Sequence, residues 1–214
     1  MYRPPHFAVD DLPLQHELIR AHPLGLLVVH GSAGLTADPV PFVLDADRGP
    51  FGTLRCHVAR ANPVWREADG AREALVVFSA VDHYVTPSWY ATKRETGKVV
   101  PTWNYATVHA HGPMRAIEDP AWLAAQIAAL TDIHEGRRAA PWSVDDAPAP
   151  FIAAQMRGIV GLEIPIARIE GKWKVSQNRP ETDRRGVDEG LRAEGDEEAA
   201  AMAALVRQHG GIEG

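Results

Sequence analysis

The sequence has a single cysteine, Cys56, among 214 residues. No disulfide can close within the chain, and a small bridge-stapled fold is excluded. No stretch approaches the roughly 20 consecutive apolar residues that a helix needs to cross a bilayer. The opening run MYRPPHFAVDD has no apolar core of the kind a secretion signal carries. These absences predict a soluble, cytoplasmic protein of a reducing compartment that does not associate with membranes. Positive charge is also in short supply, since 22 Lys and Arg stand against 28 Asp and Glu for a net charge of −6. A polyanion meets a repulsive mean field, and the pairs Arg137-Arg138 and Arg184-Arg185 do not extend into a basic stripe. No helix-turn-helix with a basic recognition helix is recognisable, which argues against direct DNA binding. The Walker A, G-x-G-x-x-G, G-x-S-x-G and H-E-x-x-H patterns are all missing, so nucleotide hydrolysis, Rossmann-type hydride transfer and metalloprotease chemistry have no support.

What is present reads as one α+β domain, mainly β in its first half, with 45% hydrophobic residues. Runs rich in β-formers at residues 24–29, 36–44, 49–54, 75–81 and 103–111 are separated by Gly, Pro and Asp, as an antiparallel meander or barrel requires. A further strand is expected at 162–169, continuing through 172–175. Helices are predicted at 12–21, 59–67, 150–159 and 196–210, the last with Ala199, Met202, Ala203 and Val206 inward. Another is bracketed by Asp119 as N-cap, Pro120 at the first helical position and Gly136 past its end, with Leu123, Ile127, Leu130 and His134 on one stripe. The acidic, glycine-bearing stretch 184–198 reads as a mobile connection.

Four stretches could carry chemistry. In VVPTWNYATVHAHG, strand alternation puts Trp103, Tyr105, Thr107, His109 and His111 on one face and Ala106, Val108 and Ala110 on the other. The broad face suits a flat partner. FGTLRCHVARANPVW is a strand that runs into a short helix, and Thr53, His57, Arg60 and Asn62 cluster where free N–H groups attract an anion. A phosphate site and a plain turn, with Arg60 paired to a carboxylate, are both open there. The run from Tyr84 to Tyr105 gathers five rings with Ser88, Lys93 and Lys98, either as walls for a planar conjugated ligand or as a plug for the end of a barrel core. GKWKVSQNR ends a strand with Lys172, Lys174, Gln177, Asn178 and Arg179, whose amide and guanidinium groups could bond a heteroaromatic edge or form the polar lip of a subunit interface. His109 and His111 share a strand face but lack the spacing of a metal site, so no metal is expected. Cys56 and His57 point to opposite faces of a strand and do not form a nucleophile–base pair.

Taken in order, MYRPPHF, GTLRCHVARANPVW, YVTPSWYATK, VVPTWNYATVHAHG, LTDIHE and EGKWKVSQNR resemble the PaiB-type family, the FMN-binding split-barrel proteins known as negative transcriptional regulators. The resemblance runs from Met1 to about Leu191. It implies a six-stranded antiparallel split β-barrel with peripheral helices, like that of pyridoxamine-phosphate oxidases, over residues 1–191, and a C-terminal helical tail over 192–214. It further implies a homodimer holding FMN in a groove between subunits. By that resemblance Thr53, His57 and Arg60 lie at the ribityl phosphate, Ser88, Trp89, Lys93, Trp103 and Asn104 along the isoalloxazine, and Gln177, Asn178 and Arg179 reach in from the partner chain. The function it implies is a flavin-dependent sensor or regulator. The alternatives are an FMN-dependent oxidoreductase acting on a small molecule and a haem-handling split barrel, because fold does not decide function.

Overall fold

The computed structural model describes residues 1–32 and 34–212. In chain order these form β1 (Ala8–Val9), α1 (Leu12–Ala21), β2 (Leu24–Gly31), β3 (Gly34–Pro41), β4 (Val43–Asp45), β5 (Thr53–Ala59), β6 (Asp69–Val85), α2 (Ala91–Thr96) and β7 (Thr102–Ile117). They continue with α3 (Pro120–Glu135), α4 (Ala149–Arg157), β8 (Ile159–Pro165), β9 (Arg168–Lys174), α5 (Glu181–Glu194) and α6 (Glu197–Gly210). The strands order as β3-β2-β6-β7-β8-β5-β4, with β9 pairing both β7 and β1. Among the described residues no helix is long and apolar enough to cross a membrane.

The expected six strands become nine among the described residues, for local reasons. The run expected at 162–169 and beyond is cut at Ile166 and Ala167, whose N–H groups leave the ladder for Gly52 O (3.0 Å) and His111 O (2.8 Å). Phe42 separates β3 from β4 by donating to Pro23 O at 2.8 Å. The strand expected at 49–54 starts only at Thr53, because Gly49 and Gly52 hold φ of +85° and +88°, outside extended backbone. The helix expected at 59–67 shortens to a 3-10 turn, Pro63–Glu67, with the Asn62 side chain accepting from Val64 N.

The chain packs as two compact units. The larger comprises Leu12–Phe78 and His109–Ile169. Its centre is the antiparallel β5–β8 ladder, from Thr53 opposite Pro165 to Ala59 opposite Ile159. Leu54, Cys56, Val160, Leu162 and Ile164 there are fully buried, each large apolar side chain contributing about 1.5–3 kcal/mol. Burial pushes the Cys56 thiol far above its ordinary range, so it stays protonated. Helix α3 begins as expected, with Asp119 accepting from Trp122 N at 2.8 Å, and ends at Gly136. Of the expected stripe Leu123 is buried, with Gln126 beside it, Ile127 and Leu130 are half-buried, and His134 is exposed. At the start of the helix the Trp122 ring lies so close to Gly161 that a Cβ there would sit 2.2 Å from it.

The smaller unit comprises Met1–Asp11, Ser79–Val108 and Glu170–Gly214. Helix α6 matches expectation, with Ala199, Met202, Ala203 and Val206 buried and Asp196 as its cap. Most of the stretch expected as a mobile connection is instead helix α5, whose Val187 and Leu191 are fully buried. Its glycines misled the reading. They sit in the helix because Trp89 lies against them: a Cβ on Gly186 would fall 2.0 Å from Trp89 O, and one on Gly190 2.4 Å from the Trp89 ring.

That close approach reverses the usual helix preference. Gly→Ala in a helix interior normally gains about 1 kcal/mol, yet Gly186→Ala must displace backbone, at about 1–3 kcal/mol. Thermal unfolding is expected to show a lower Tm for Gly186→Ala. An unchanged or raised Tm would show that Trp89 does not hold α5 this closely.

Candidate functional site

Strand β7 sorts its side chains by parity. Ala106, Val108 and Ala110 are at most 1% exposed, whereas Trp103 is 54% exposed and Tyr105, His109 and His111 are half-buried. The broad face is therefore outward as expected, except that Thr107 is 9% exposed. Alternation puts Asn104, which the resemblance implies lies along the isoalloxazine, on the inward face. It is fully buried and pairs with Ser176 Oγ at 2.9 Å. Ser176 is held at φ of +68°, a conformation that non-glycine residues seldom adopt. A buried hydrogen-bonded partner helps to hold it there.

Within the smaller unit, three cations gather around these rings. Lys172 is 8% exposed, and its ammonium stands 5.1 Å from the Tyr105 ring centroid and 5.6 Å from that of Tyr2. No carboxylate lies in ion-pair range of it among the described residues. Lys174 Nζ lies 5.8 Å from the Tyr105 centroid and donates to Thr102 Oγ1 and to Trp103 O. Burial, then the like charges of Lys172 and Arg179, hold its pKa below the usual lysine value. Arg179 lies 4.8 Å over the Tyr90 ring. Cation–π contacts offset desolvation by about 0.5–2 kcal/mol each, well short of what an anion would supply. Beside this group a cavity of about 340 Å³ is lined by Ser79, Asp82, Trp103, Tyr105 and Thr107. Tyr84 presents its ring edge to Trp103 at 5.9 Å.

The other residues expected in this region are placed as follows. Lys93 Nζ donates to Ser88 Oγ at 3.0 Å at the exposed surface, and Trp89 packs on α5. Gln177 folds back on its own turn, accepting from Val175 N at 2.8 Å and donating to Trp173 O. Asn178 is exposed. The family resemblance assigns neither Lys172 nor Lys174 to the flavin site, although both stand in the GKWKVSQNR stretch. Their spacing of two around Trp173 was the available signal, since alternate residues of a strand share a face.

The expected phosphate residues lie in the larger unit. Thr53 is buried and donates to Arg48 O at 2.8 Å. His57 is half-buried, its Nδ1 lacks a hydrogen-bond partner among the described residues, and burial lowers its pKa. Arg60 donates to Arg157 O (2.9 Å), Glu118 Oε2 (2.5 Å) and Ile159 O (3.2 Å). Three of its five N–H groups are thus engaged, leaving two for a ligand. Elsewhere in this unit Glu163, 1% exposed, accepts from Arg48 at 2.7 Å and from Arg115 at 2.9 Å. Burial alone would raise its pKa, but the two guanidiniums hold it below the usual carboxylate range.

A mainly antiparallel α+β chain with these elements is a split-barrel fold, and known structures share it. The flavocytochrome Anf3 of Azotobacter vinelandii superposes with a TM-score of 0.56 at 16% identity, over 78% of this chain and 69% of that one. The FAD and haem binding protein of Mycobacterium smegmatis gives 0.55 at 16% identity, over 78% and 73%. The family model described as "Putative FMN-binding domain" matches residues 1–168, and the chain belongs to that family. An uncharacterized protein of Aspergillus fumigatus is 34% identical, over 98% of this chain and 98% of its own. The Bacillus subtilis protease synthase and sporulation protein PAI 2 is 29% identical, over 96% of each.

Two outcomes follow from this geometry. Asn104→Ala leaves the Ser176 hydroxyl buried without its partner and is expected to cost about 1–3 kcal/mol in urea unfolding; no loss would mean that the pair does not hold the turn. Glu163 has a depressed folded pKa, so its stabilisation is present above the ordinary glutamate value of about 4.3 and fades as the pH falls through the lower folded value. Glu163→Gln should destabilise by about 3–5 kcal/mol at pH 7 and flatten the acid limb of a Tm–pH profile, whereas a parallel profile would contradict the assignment.

Proposed function

We propose that this protein binds FMN as a homodimer and acts as a flavin-responsive regulator, with the isoalloxazine seated on the ring-bearing face of β7. The observation that carries this reading is Lys172, a buried cation that faces tyrosine rings and no carboxylate in ion-pair range, beside Lys174 and the exposed Trp103. A cluster of this kind fits a flat ligand that brings negative charge, and an anion would relieve the desolvation that depresses Lys174. Membership of the FMN-binding domain family supports flavin as that ligand. The likeness to a sporulation protein supports a regulatory role. A homodimer would cover Trp103 and Tyr84, which are 54% and 44% exposed.

In this reading Trp103 and Tyr105 wall the ring and exclude water from one side of it. Lys172 and Lys174 hold positive charge beside it, favouring the anionic reduced form over the neutral one. Bound flavin supplies reversible redox chemistry. Gln177, Asn178 and Arg179 are the candidate donors from the partner chain. Thr53, His57 and Arg60 remain the candidates for the phosphate, through the two unengaged N–H groups of Arg60. The acidic net charge of −6 disfavours direct operator binding, so regulation would pass through another protein.

Flavin fluorescence titration of the full chain tests this. Saturable binding is expected, weakened at least tenfold by Lys172→Met, the loss of about 1.5–3 kcal/mol from one charge-assisted contact. Arg60→Ala should weaken binding to a similar extent; unchanged affinity would remove Arg60 from the site. Absence of flavin binding by the wild type would refute the reading. NAD(P)H-driven bleaching of bound flavin with turnover would replace the regulator by an oxidoreductase, and a Soret band would replace flavin by haem.

A further inference from the structure

Away from the rings of β7, strand β6 and the α5–α6 corner bring one imidazole and two carboxylates to a point. His83 Nε2 lies 3.1 Å from Glu194 Oε2, and one ligand atom from each of His83, Glu194 and Asp196 falls within 4.8 Å of the others. The backbone produces this convergence. Glu194 is the last residue of α5, Gly195 turns in the left-handed region at φ of +78°, and Asp196 opens α6 as its N-cap. Asp196 caps through Oδ1, which accepts from Ala199 N at 2.7 Å, and its other oxygen remains for a second partner.

The tautomer of His83 gives this cluster its meaning. Nδ1 lies 2.7 Å from Tyr84 O, and a carbonyl only accepts, so Nδ1 carries the hydrogen. In the neutral ring Nε2 then directs a lone pair at the Glu194 carboxylate, an arrangement that is repulsive unless a positive species stands between. A proton on Nε2 would answer one carboxylate and leave the other. An imidazole whose far N–H is held by a backbone carbonyl, facing two carboxylates, is the arrangement by which proteins orient a metal-ligating histidine. The spacing agrees, since two ligands at about 2.0–2.1 Å from a tetrahedral ion lie about 3.3 Å apart. The side chain of His83 is 15% exposed, with the Trp89 ring 6.2 Å away, while that of Glu194 is 44% exposed. Protein thus closes the histidine side and solvent supplies the remaining ligand.

We infer that His83, Glu194 and Asp196 form a binding site for a divalent first-row transition ion of the zinc type, with water completing the shell. Imidazole together with carboxylate selects such ions over magnesium and calcium, which prefer all-oxygen shells. The ion ties strand β6 to the turn between α5 and α6, so it acts on the stability of the smaller unit. This inference does not rest on flavin binding.

Calorimetric titration of the chelator-treated full chain with zinc chloride tests it. One saturable site involving these residues is expected, with affinity lowered at least tenfold in His83→Ala and in Glu194→Gln. Asp196→Asn retains an N-cap of equal quality and should also weaken binding, which separates ligation from capping. Zinc should raise the Tm of the wild type and not that of Glu194→Gln. Absence of saturable binding, or wild-type affinity in both Glu194→Gln and Asp196→Asn, would overturn the site and leave His83 and Glu194 as an ordinary imidazolium–carboxylate pair.

Discussion

Over residues 103–111 strand β7 carries its rings on one face only, and the candidate site depends on that arrangement. It runs between β6 and β8 and also pairs with β9. Its even-numbered face is packed so closely that Ala106, Val108 and Ala110 fill it. At Gly112 a Cβ would lie 2.0 Å from Pro165 O. Overpacked interiors strain rather than expand, so between residues 103 and 111 the rings go to the odd-numbered face, while Met114 fills the even-numbered face beyond Gly112. The row of Trp103, Tyr105, His109 and His111 is the complement of a tight interior.

Two clusters of positive charge are balanced by different means. Arg48 and Arg115 converge on Glu163, a carboxylate of the same chain, which satisfies them and makes the group a structural fixture. Lys172 and Lys174 converge on Tyr105, whose ring quadrupole answers only part of the cost of removing two ammonium groups from water. A charge held without a full partner is what a binding site requires before its ligand arrives. That contrast is the physical reason for seeking an anionic, flat ligand at β7 rather than at Glu163.

Features that depend on neighbours in sequence could be read directly. Helix α1 spans Leu12–Ala21 as expected, and α3 has the cap and terminus that Asp119 and Gly136 announce. The parity of β7 was legible too, and applied to Asn104 it would have placed that side chain inside. Features that depend on distant partners were not legible. Helix α5 looked like a linker because Gly186 and Gly190 lower helix propensity; only the folded position of Trp89 explains them. The partners of Arg60 could not be named, because Glu118 and the carbonyls of Arg157 and Ile159 are far from it in sequence. The break at Ile166 and Ala167 depends on acceptors supplied by Gly52 and His111.

The central claim is that a planar flavin occupies the outward face of β7 next to a buried, ring-held lysine. A crystal structure of the full chain grown with FMN tests it most directly. The account predicts the isoalloxazine in van der Waals contact with Trp103 or Tyr105, and Lys172 or Lys174 within hydrogen-bond reach of a flavin oxygen or nitrogen. A flavin bound without touching either ring or either lysine would contradict it.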